Sequence, residues 1–146
     1  MSTEGSAPDK ENGLIRLLDL RMAAEAKAIA ATTDSISATL TELEVPEEKR
    51  FEIALAVQEA LANAVVHGCE NDPSKEVRCR LERDLAGAIV ITVRDPGPGF
   101  GANGIADPMQ SENLCRGSGR GVYLIRQLMD EVQFENGGNQ LRMWKY

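Results

Sequence analysis

The amino-acid sequence predicts an α+β domain, a two-layer sandwich in which a mixed, mostly antiparallel sheet carries its helices on one face. The predicted order of elements is strand, helix, helix, two strands, a long glycine-rich segment, helix and hairpin. Strands that cluster in the sequence favour this arrangement. With 146 residues, of which 42% are hydrophobic and 27% charged, the chain has the size and composition of one compact domain.

The first part of the chain supplies a strand and a helix. Residues 1–13 are polar and interrupted by glycine and proline, so we expect a disordered tail before a single domain over residues 14–146. Leu14–Met22 is short and apolar with interspersed charges, and it is predicted to be a strand. Ala24–Leu43 is predicted to be an amphipathic helix because its apolar residues recur at helical spacing, at Ile29, Ile36, Leu40 and Leu43.

A second helix is predicted over Pro46–His67. Proline suits the first turn of a helix, and Glu47 and Glu48 interact favourably with the positive end of the helix dipole. Gly68 suits the exit from the helix.

The rest of the chain is predicted to contain mostly strands. Val77–Asp84 alternates between polar and apolar residues, as a half-exposed strand does, whereas Ala88–Arg94 is a dense β-branched run typical of a central strand. Val122–Met129 has helical apolar spacing. Gln133–Glu135 and Gln140–Tyr146 flank a turn rich in asparagine and glycine, which predicts a terminal hairpin.

Composition and charge argue against several classes of function. The formal net charge of −7 and the absence of a basic stripe argue against direct binding of nucleic acid. No apolar run approaches the roughly 18 residues of a membrane span, so we expect a cytoplasmic protein without membrane contact. The three cysteines, Cys69, Cys79 and Cys115, fit neither a disulfide framework nor a zinc motif.

Three polar residues recur at four-residue steps in the apolar second helix: Glu59, Asn63 and His67. Residues four apart lie one turn above each other, so these side chains are expected to form one polar line. Buried carboxylates and amides need partners. The line could therefore face solvent, bond a neighbouring strand, or meet a ligand.

Asp95–Gly121 is the least regular segment, with seven glycines and three prolines in 27 residues. Asp95-Pro-Gly97-Pro-Gly99 follows the central strand and, taken alone, is most simply a turn. Gly117-Ser-Gly119-Arg-Gly121 precedes the predicted helix, where exposed amides and the helix dipole suit an anion such as phosphate. The segment is neither a Walker A loop nor a dinucleotide fingerprint.

Together these features predict a nucleotide site with a metal ion. The helix offers a carboxylate and an amide, one loop offers Asp95 beside glycines that leave space for a flat ring, and another offers phosphate-binding amides. Mg²⁺ needs only one or two protein oxygens in addition to phosphates and waters, and Asn63 can supply one.

Glu59-x-x-x-Asn63, Asp95-x-Gly97-x-Gly99 and Gly117-x-Gly119-x-Gly121, in this order and spacing, resemble the N, G1 and G2 boxes of the GHKL (Bergerat-fold) superfamily. This superfamily includes gyrase-type topoisomerases, chaperone and mismatch-repair ATPases, and sensor histidine kinases. The resemblance covers roughly residues 14–146. It is greatest to the stand-alone bacterial anti-sigma-factor serine/threonine kinases, which share the sequence motif E-A-x-x-N-A-x-x-H-G of residues 59–68.

The resemblance implies roles for two residues of the polar line and for Asp95. Glu59 would be the general base, Asn63 the Mg²⁺ ligand, and Asp95 the acceptor for the adenine amino group of ATP. The role of His67 stays open between a contact on the nucleotide side and a structural role at the end of the helix.

The glycine segments receive roles by the same resemblance. Gly97 and Gly99 would permit close approach to the adenine ring, and residues of about 100–117 would form a lid over the triphosphate. Phosphate contacts would come from Gly117, Gly119 and Gly121, with Arg116 or Arg120 as a further contact. Where family members often carry a threonine near the adenine, this chain has Asn139 and Gln140.

The implied partners are a sigma factor and a small anti-anti-sigma protein, with the kinase as a homodimer. Two alternatives remain open at this point. The chain could be an ATP-gated protein-binding switch without significant kinase activity, or an ATPase or histidine-kinase-type catalytic domain.

Overall fold

The structure, a computed structural model, describes residues 13–97, 116–135 and 138–146, and of residues 116–120 the backbone alone. Within these residues the chain forms five strands, three α-helices and a π-helical turn. The strands are β1 (Ile15–Ala23), β2 (Glu76–Arg83), β3 (Ile89–Arg94), β4 (Glu131–Glu135) and β5 (Gln140–Lys145). The helices are α1 (Lys27–Glu42), α2 (Glu47–Asn63), which continues directly into the π turn Ala64–Gly68, and α3 (Arg116–Leu128).

The five strands form one sheet in the order β1-β2-β3-β5-β4, and every neighbouring pair is antiparallel. The register places one row of apolar residues across all five strands: Leu18, Leu81, Ile91, Met143 and Val132. This row lies in the core cluster beneath the helices. The sheet therefore presents one apolar face to a single layer of helices.

All three α-helices contribute to that core. Ile36 of α1, Ile53 and Leu61 of α2, and Ile125 of α3 are fully buried. Each such side chain contributes roughly 1.5–3 kcal/mol through burial. The predicted α+β sandwich with helices on one face is confirmed, and its sheet is antiparallel at every described pair of strands.

The helix boundaries differ from the predicted ones at three places, one of which is the end of α2, where the chain is α-helical only to Asn63 and continues to Gly68 as the π turn. Helix α1 begins at Lys27 and not at Ala24, because the Ala24 N–H donates to the Lys75 carbonyl at 2.9 Å and prolongs the sheet. Helix α3 begins at Arg116 and not at Val122. Its glycines lower intrinsic helix propensity, but burial of Val122 and Ile125 anchors the segment against the core.

No helix in the described ranges is long and apolar enough to cross a membrane. Residues 1–12, and most of the predicted lid, lie outside the described residues. The disordered tail and the lid therefore stay predictions.

Candidate functional site

Glu59 and Asn63 lie one turn apart on α2, opposite the start of α3. A Cβ placed on the buried Gly121 would lie 2.9 Å from Glu59 Oε1 and 3.5 Å from Asn63 Oδ1. Real Cβ atoms essentially never come closer than 3.0 Å to another atom, so a side chain at Gly121 would displace the Glu59 carboxylate. The structure thus brings the third glycine of the Gly117–Gly121 segment against the two polar residues of α2.

His67, the third residue of the predicted polar line, lies in a π turn that directly follows α2. From Ala64 to Gly68 the backbone makes a π turn, in which the Cys69 N–H donates to the Ala64 carbonyl at 2.9 Å. A π turn holds more residues than an α turn, so a four-residue step falls slightly short of one full turn where in an α-helix it slightly exceeds one. The His67 side chain is exposed. One polar line over the three residues therefore stays a prediction, and so does the role of His67.

The π turn places Gly68 directly against Asp95, the first residue after β3. A Cβ on Gly68 would lie 2.2 Å from Asp95 Cγ and 2.3 Å from Oδ2. The Gly97 N–H donates to Oδ1 at 2.8 Å, and a Cβ on Gly97 would lie 2.5 Å from the Gly68 carbonyl oxygen. The Asp95 carboxylate therefore packs against Gly68 and Gly97, where a side chain would not fit. Its Oδ2 makes no hydrogen bond within the described residues.

Asn139, just before β5, fixes this loop from the other side. Its carbonyl accepts the Asp95 N–H at 3.0 Å, and its Nδ2 donates to the Gly97 carbonyl at 3.1 Å. Its Oδ1 is buried and has no hydrogen-bond partner in the described part of the chain. A buried acceptor without a partner is costly, so this atom is available to a donor on a ligand or water.

Burial raises the pKa of the Asp95 carboxyl above its usual range, while the Gly97 N–H and the charges of Arg94 and Lys75 act in the opposite direction. Burial, reinforced by the charge of Asp95, also raises the pKa of the neighbouring Cys69 thiol. A desolvated carboxylate with one oxygen free is suited to recognise a hydrogen-bond donor on a ligand.

Helix α3 begins at Arg116, so Gly117 and Gly119 lie in its first turn. The first four N–H groups of an α-helix have no acceptor inside the helix and lie at its positive end. They are therefore suited to phosphate, as the sequence predicted. Gly121 lies beyond this turn, and the property that the structure shows for it is the close approach to Glu59.

Some predicted site residues cannot be placed in this arrangement. Gly99 and the lid from Phe100 onward lie outside the described residues, as do the side chains of Arg116 and Arg120. Their predicted contacts with the adenine ring and the phosphates stay predictions.

The described residues fit ATP with a magnesium ion. No group of three or more His, Cys, Asp or Glu side chains in the described ranges could hold a metal by itself. Asn63 offers one amide oxygen, a ligand that Mg²⁺ accepts from a protein where phosphates and waters complete its coordination. The free Oδ2 of Asp95 and the unpartnered Oδ1 of Asn139 provide hydrogen-bond acceptors for the adenine ring near the C-terminal end of α2.

Sequence reasoning gave two residues of this site too small a role. Gly68 was interpreted only as a helix exit, although it seats Asp95. Asn139 was noted only as a departure from the usual threonine, although it holds the loop after β3 at two points. The importance of Gly68 is visible in the sequence as the last residue of the E-A-x-x-N-A-x-x-H-G motif. The contacts of Asn139, in contrast, depend on the pairing of β3 with β5.

Comparison with known proteins agrees with this geometry. Residues 22–145 match the family described as histidine kinase-like ATPase domain. The anti-sigma F factor of Geobacillus thermodenitrificans is 32% identical over 110 residues, which cover 73% of each chain. That of Bacillus cytotoxicus is 29% identical over 117 residues, covering 77% of this chain and 80% of the relative.

A solved structure supports the fold. The histidine kinase domain of the blue-light activated histidine kinase EL346 from Erythrobacter litoralis superimposes with a TM-score of 0.53 at 21% identity. The match covers 80% of this chain and 60% of the length of that one.

The chain therefore belongs to the histidine kinase-like ATPase domains of the GHKL superfamily, and among them to the family of the anti-sigma F factors. The resemblance inferred from the three boxes is confirmed. Domains of this superfamily bind ATP, so ATP is the nucleotide against which the roles of Glu59, Asn63 and Asp95 are considered below.

Proposed function

We propose that the protein is an ATP-dependent serine/threonine kinase that also acts as an anti-sigma factor. It would sequester a sigma factor and phosphorylate the antagonist of that factor, an anti-anti-sigma protein. The relatives named anti-sigma F factor support the sigma-factor partner. A sigma-factor partner would also place the protein in the cytoplasm.

The observation that carries the catalytic part of the proposal is the approach of Gly121 to Glu59 and Asn63. Helix α3 offers free backbone amides at its start, and those amides suit phosphate groups. The contact, just beyond the first turn of α3, supports a role for the Glu59 carboxylate and the Asn63 amide oxygen near the helix end where the triphosphate would bind. A kinase requires a base and a metal ligand at that position.

Each residue would have a separate task. Asp95 Oδ2 would accept a hydrogen bond from the adenine amino group, and Gly117 and Gly119 would donate backbone N–H groups to phosphate oxygens. Asn63 would hold Mg²⁺ through its amide oxygen, and the ion would neutralise charge on the phosphates.

Glu59 would accept the proton of the acceptor hydroxyl. The hydroxyl oxygen would form its bond to the γ-phosphorus as the bond to the ADP oxygen breaks. Most of the rate acceleration would come from positioning and charge neutralisation, and the base would add its usual factor of roughly 10²–10⁴. Glu59 is half-buried beside Gly121, which restricts its side chain without removing it from contact with an incoming substrate.

The proposal includes a homodimer, which rests on the resemblance to the anti-sigma-factor kinases. Sedimentation equilibrium of the full chain over a range of concentrations measures this directly. A species of 15.9 kDa at all concentrations would remove the dimer from the proposal without affecting the kinase assignment.

The test of the function is transfer of radiolabel from γ-labelled ATP to candidate anti-anti-sigma proteins from the same genome. The wild type should label one of them on serine or threonine, whereas Glu59→Gln should bind ATP normally and transfer about 10²–10⁴-fold more slowly. Glu48→Gln is the matched control, because Glu48 is an exposed glutamate at the start of the same helix.

Two outcomes would replace the proposal. ATP-dependent binding of the sigma factor without transfer to any antagonist would indicate a nucleotide-gated binding switch. Release of labelled phosphate without a protein acceptor would indicate an ATPase.

A further inference from the structure

The sheet has a second face, opposite the helices, which we call the open face. In β2 the residues that pack beneath the helices are Val77, Cys79 and Leu81. Successive residues of a strand point to opposite sides, so the residues between them lie on the open face. Across β1, β2 and β3 the charged residues of this face are five arginines and three carboxylates: Arg16, Arg21, Arg78, Arg80, Arg94, Asp19, Glu76 and Glu82.

Three of the arginines stand in one row. Arg21 pairs with Arg78 across β1 and β2, and Arg78 pairs with Arg94 across β2 and β3. Neighbouring strands are about 4.8 Å apart, so three guanidinium-bearing residues lie within about 10 Å. Like charges directly opposite each other destabilise a sheet, so this row has a cost for the isolated protein.

The carboxylates of the face neutralise only part of this charge. Asp19 accepts two hydrogen bonds from Arg78, at 2.9 and 2.6 Å, and this pair holds the pKa of Asp19 below its usual range. Glu82 Oε2 lies 3.6 Å from Arg16 Nε. Arg21, Arg80 and Arg94 form no ion pair within the ranges that the structure describes.

Two buried polar atoms lie beneath the arginines. Glu82 and Thr92 are each 1% exposed, and both belong to the open face, since Glu82 pairs with Arg16 and Thr92 pairs with Arg80. Glu82 Oε1 and Thr92 Oγ1 have no hydrogen-bond partner among the described residues. The face therefore holds, beside the apolar Val90 and Trp144, two buried polar groups that lack a partner among the described residues.

We propose that the open face, centred on Arg21, Arg78, Arg80 and Arg94, is a docking surface for an acidic segment of a partner protein. The charge supports this occupant, because across β1, β2 and β3 the face carries an excess of two positive charges on a chain of net charge −7, although Arg142, Glu131 and Glu135 together add one negative charge across β4 and β5. A compact acidic segment is attracted to such an isolated patch and steered toward it. The proposal is independent of the nucleotide site, which lies among the helices on the other side of the sheet.

Two other occupants fit the charge less well. A second copy docked through the same face by a twofold axis would bring one arginine row toward the other. A nucleic acid extends well beyond a patch of this size, and the remaining surface, being acidic, would repel its phosphates.

The probe for the test is a fluorescein-labelled synthetic peptide in which glutamate alternates with alanine, with the glutamine counterpart as the control peptide. Fluorescence anisotropy with the full chain measures the affinity at low and at high NaCl. The test variant is the double substitution Arg21→Gln with Arg80→Gln, because neither residue has an ion-pair partner among the described residues that the substitution would leave unpaired.

The matched control is Lys27→Gln with Arg83→Gln, which removes the same charge from exposed residues outside the open face. We expect the wild type to bind the glutamate peptide and release it with added salt. The test variant should bind about tenfold more weakly, and the control variant as the wild type does. ATP affinity should be the same in wild type and both variants, and the melting temperature of the test variant should be equal to or slightly above that of the wild type, since the variant relieves the opposition of Arg21 and Arg78.

Several results would overturn the proposal. They are no binding of the glutamate peptide at low salt, equal binding of the glutamine peptide, or an equal loss in the two double variants. Equal or tighter binding of a single-stranded oligothymidylate would indicate a general anion surface. Conversion of a wild-type dimer to a monomer by the test variant would show that the face is a self-interface.

Discussion

The carboxylate of Asp95 occupies the space that a side chain at Gly68 would need. A Cβ on Gly68 would lie 2.2 Å from the Asp95 Cγ. The end of the π turn and the residue after β3 can therefore be in direct contact only because residue 68 has no side chain. This contact couples the end of α2, which carries Glu59 and Asn63, to the loop that carries the predicted adenine acceptor. The two ends of the candidate nucleotide site are thereby fixed relative to each other.

The first prediction concerns this contact. Gly68→Ala should destabilise the protein by about 1–3 kcal/mol, because the new methyl group overlaps the Asp95 carboxylate. Asp95→Ala removes the overlapping atoms. In that background Gly68→Ala should therefore be close to neutral, since alanine restricts the unfolded chain more than glycine does. Urea denaturation of the two single variants and the double variant measures this coupling, and additive effects would contradict the contact.

The second prediction concerns pH. Burial raises the pKa of Asp95 above its reference value of 3.8, so between that value and the folded-state pKa the folded protein binds a proton that the unfolded chain does not. The contribution of Asp95 to the free energy of unfolding therefore falls as the pH rises through this window. Asp95→Asn has no charge to bury and should melt at a higher temperature than wild type at pH 7.

That advantage should shrink as the pH is lowered toward 3.8. Calorimetry of both proteins from pH 7 downward measures it, and a constant difference across this range would contradict the assignment of the shift to Asp95. The effects on ATP affinity should differ from those on stability. Asp95→Asn should retain part of the ATP affinity through its amide oxygen. Asp95→Ala should lose the ATP affinity while its circular dichroism spectrum stays unchanged.

The sheet and the boxes could be predicted from the sequence because they depend on local patterns. Alternation in β2 and the β-branched run of β3 reflect burial on one face or on both. Spacing along α2 was enough to bring Glu59 and Asn63 together. Each of these signals is contained in one short segment.

The start of α3 and the π turn could not be predicted in the same way. Glycine-rich sequence favours a loop by propensity, and only packing against the core shows that Arg116–Gly121 is helical. The π turn accompanies a contact between Gly68 and Asp95, which are distant in the sequence. The arginine row of the open face likewise required the strand order, although the alternation within β2 was visible.

The third prediction concerns Gly121. Alanine is the better helix former by about 1 kcal/mol, so Gly121→Ala should leave the melting temperature unchanged or slightly raise it. Its Cβ would nevertheless lie 2.9 Å from Glu59 Oε1 and force that flexible side chain to move. Phosphoryl transfer should therefore fall while ATP affinity changes little. In the Glu59→Gln background the substitution should cause no further loss, and an equal loss in both backgrounds would show that Gly121 acts through something other than Glu59.

The last prediction separates the metal from the base. If Asn63 holds Mg²⁺, then Asn63→Ala should lower the affinity for ATP by about tenfold or more when Mg²⁺ is present, equivalent to about 1.4 kcal/mol. In EDTA the variant and the wild type should bind ATP equally, because the proposed contact of Asp95 with the adenine ring does not involve the metal. Gln58→Ala is the matched control, since it removes an exposed amide from the same helix.

Glu59→Gln should retain the magnesium dependence of the wild type and lose transfer alone. Isothermal titration of each variant with ATP, with and without Mg²⁺, provides the comparison. An affinity of Asn63→Ala that still rises with Mg²⁺ as in the wild type would assign the metal to another ligand. A loss of equal size in EDTA would show instead that Asn63 contacts the nucleotide directly or supports the end of α2.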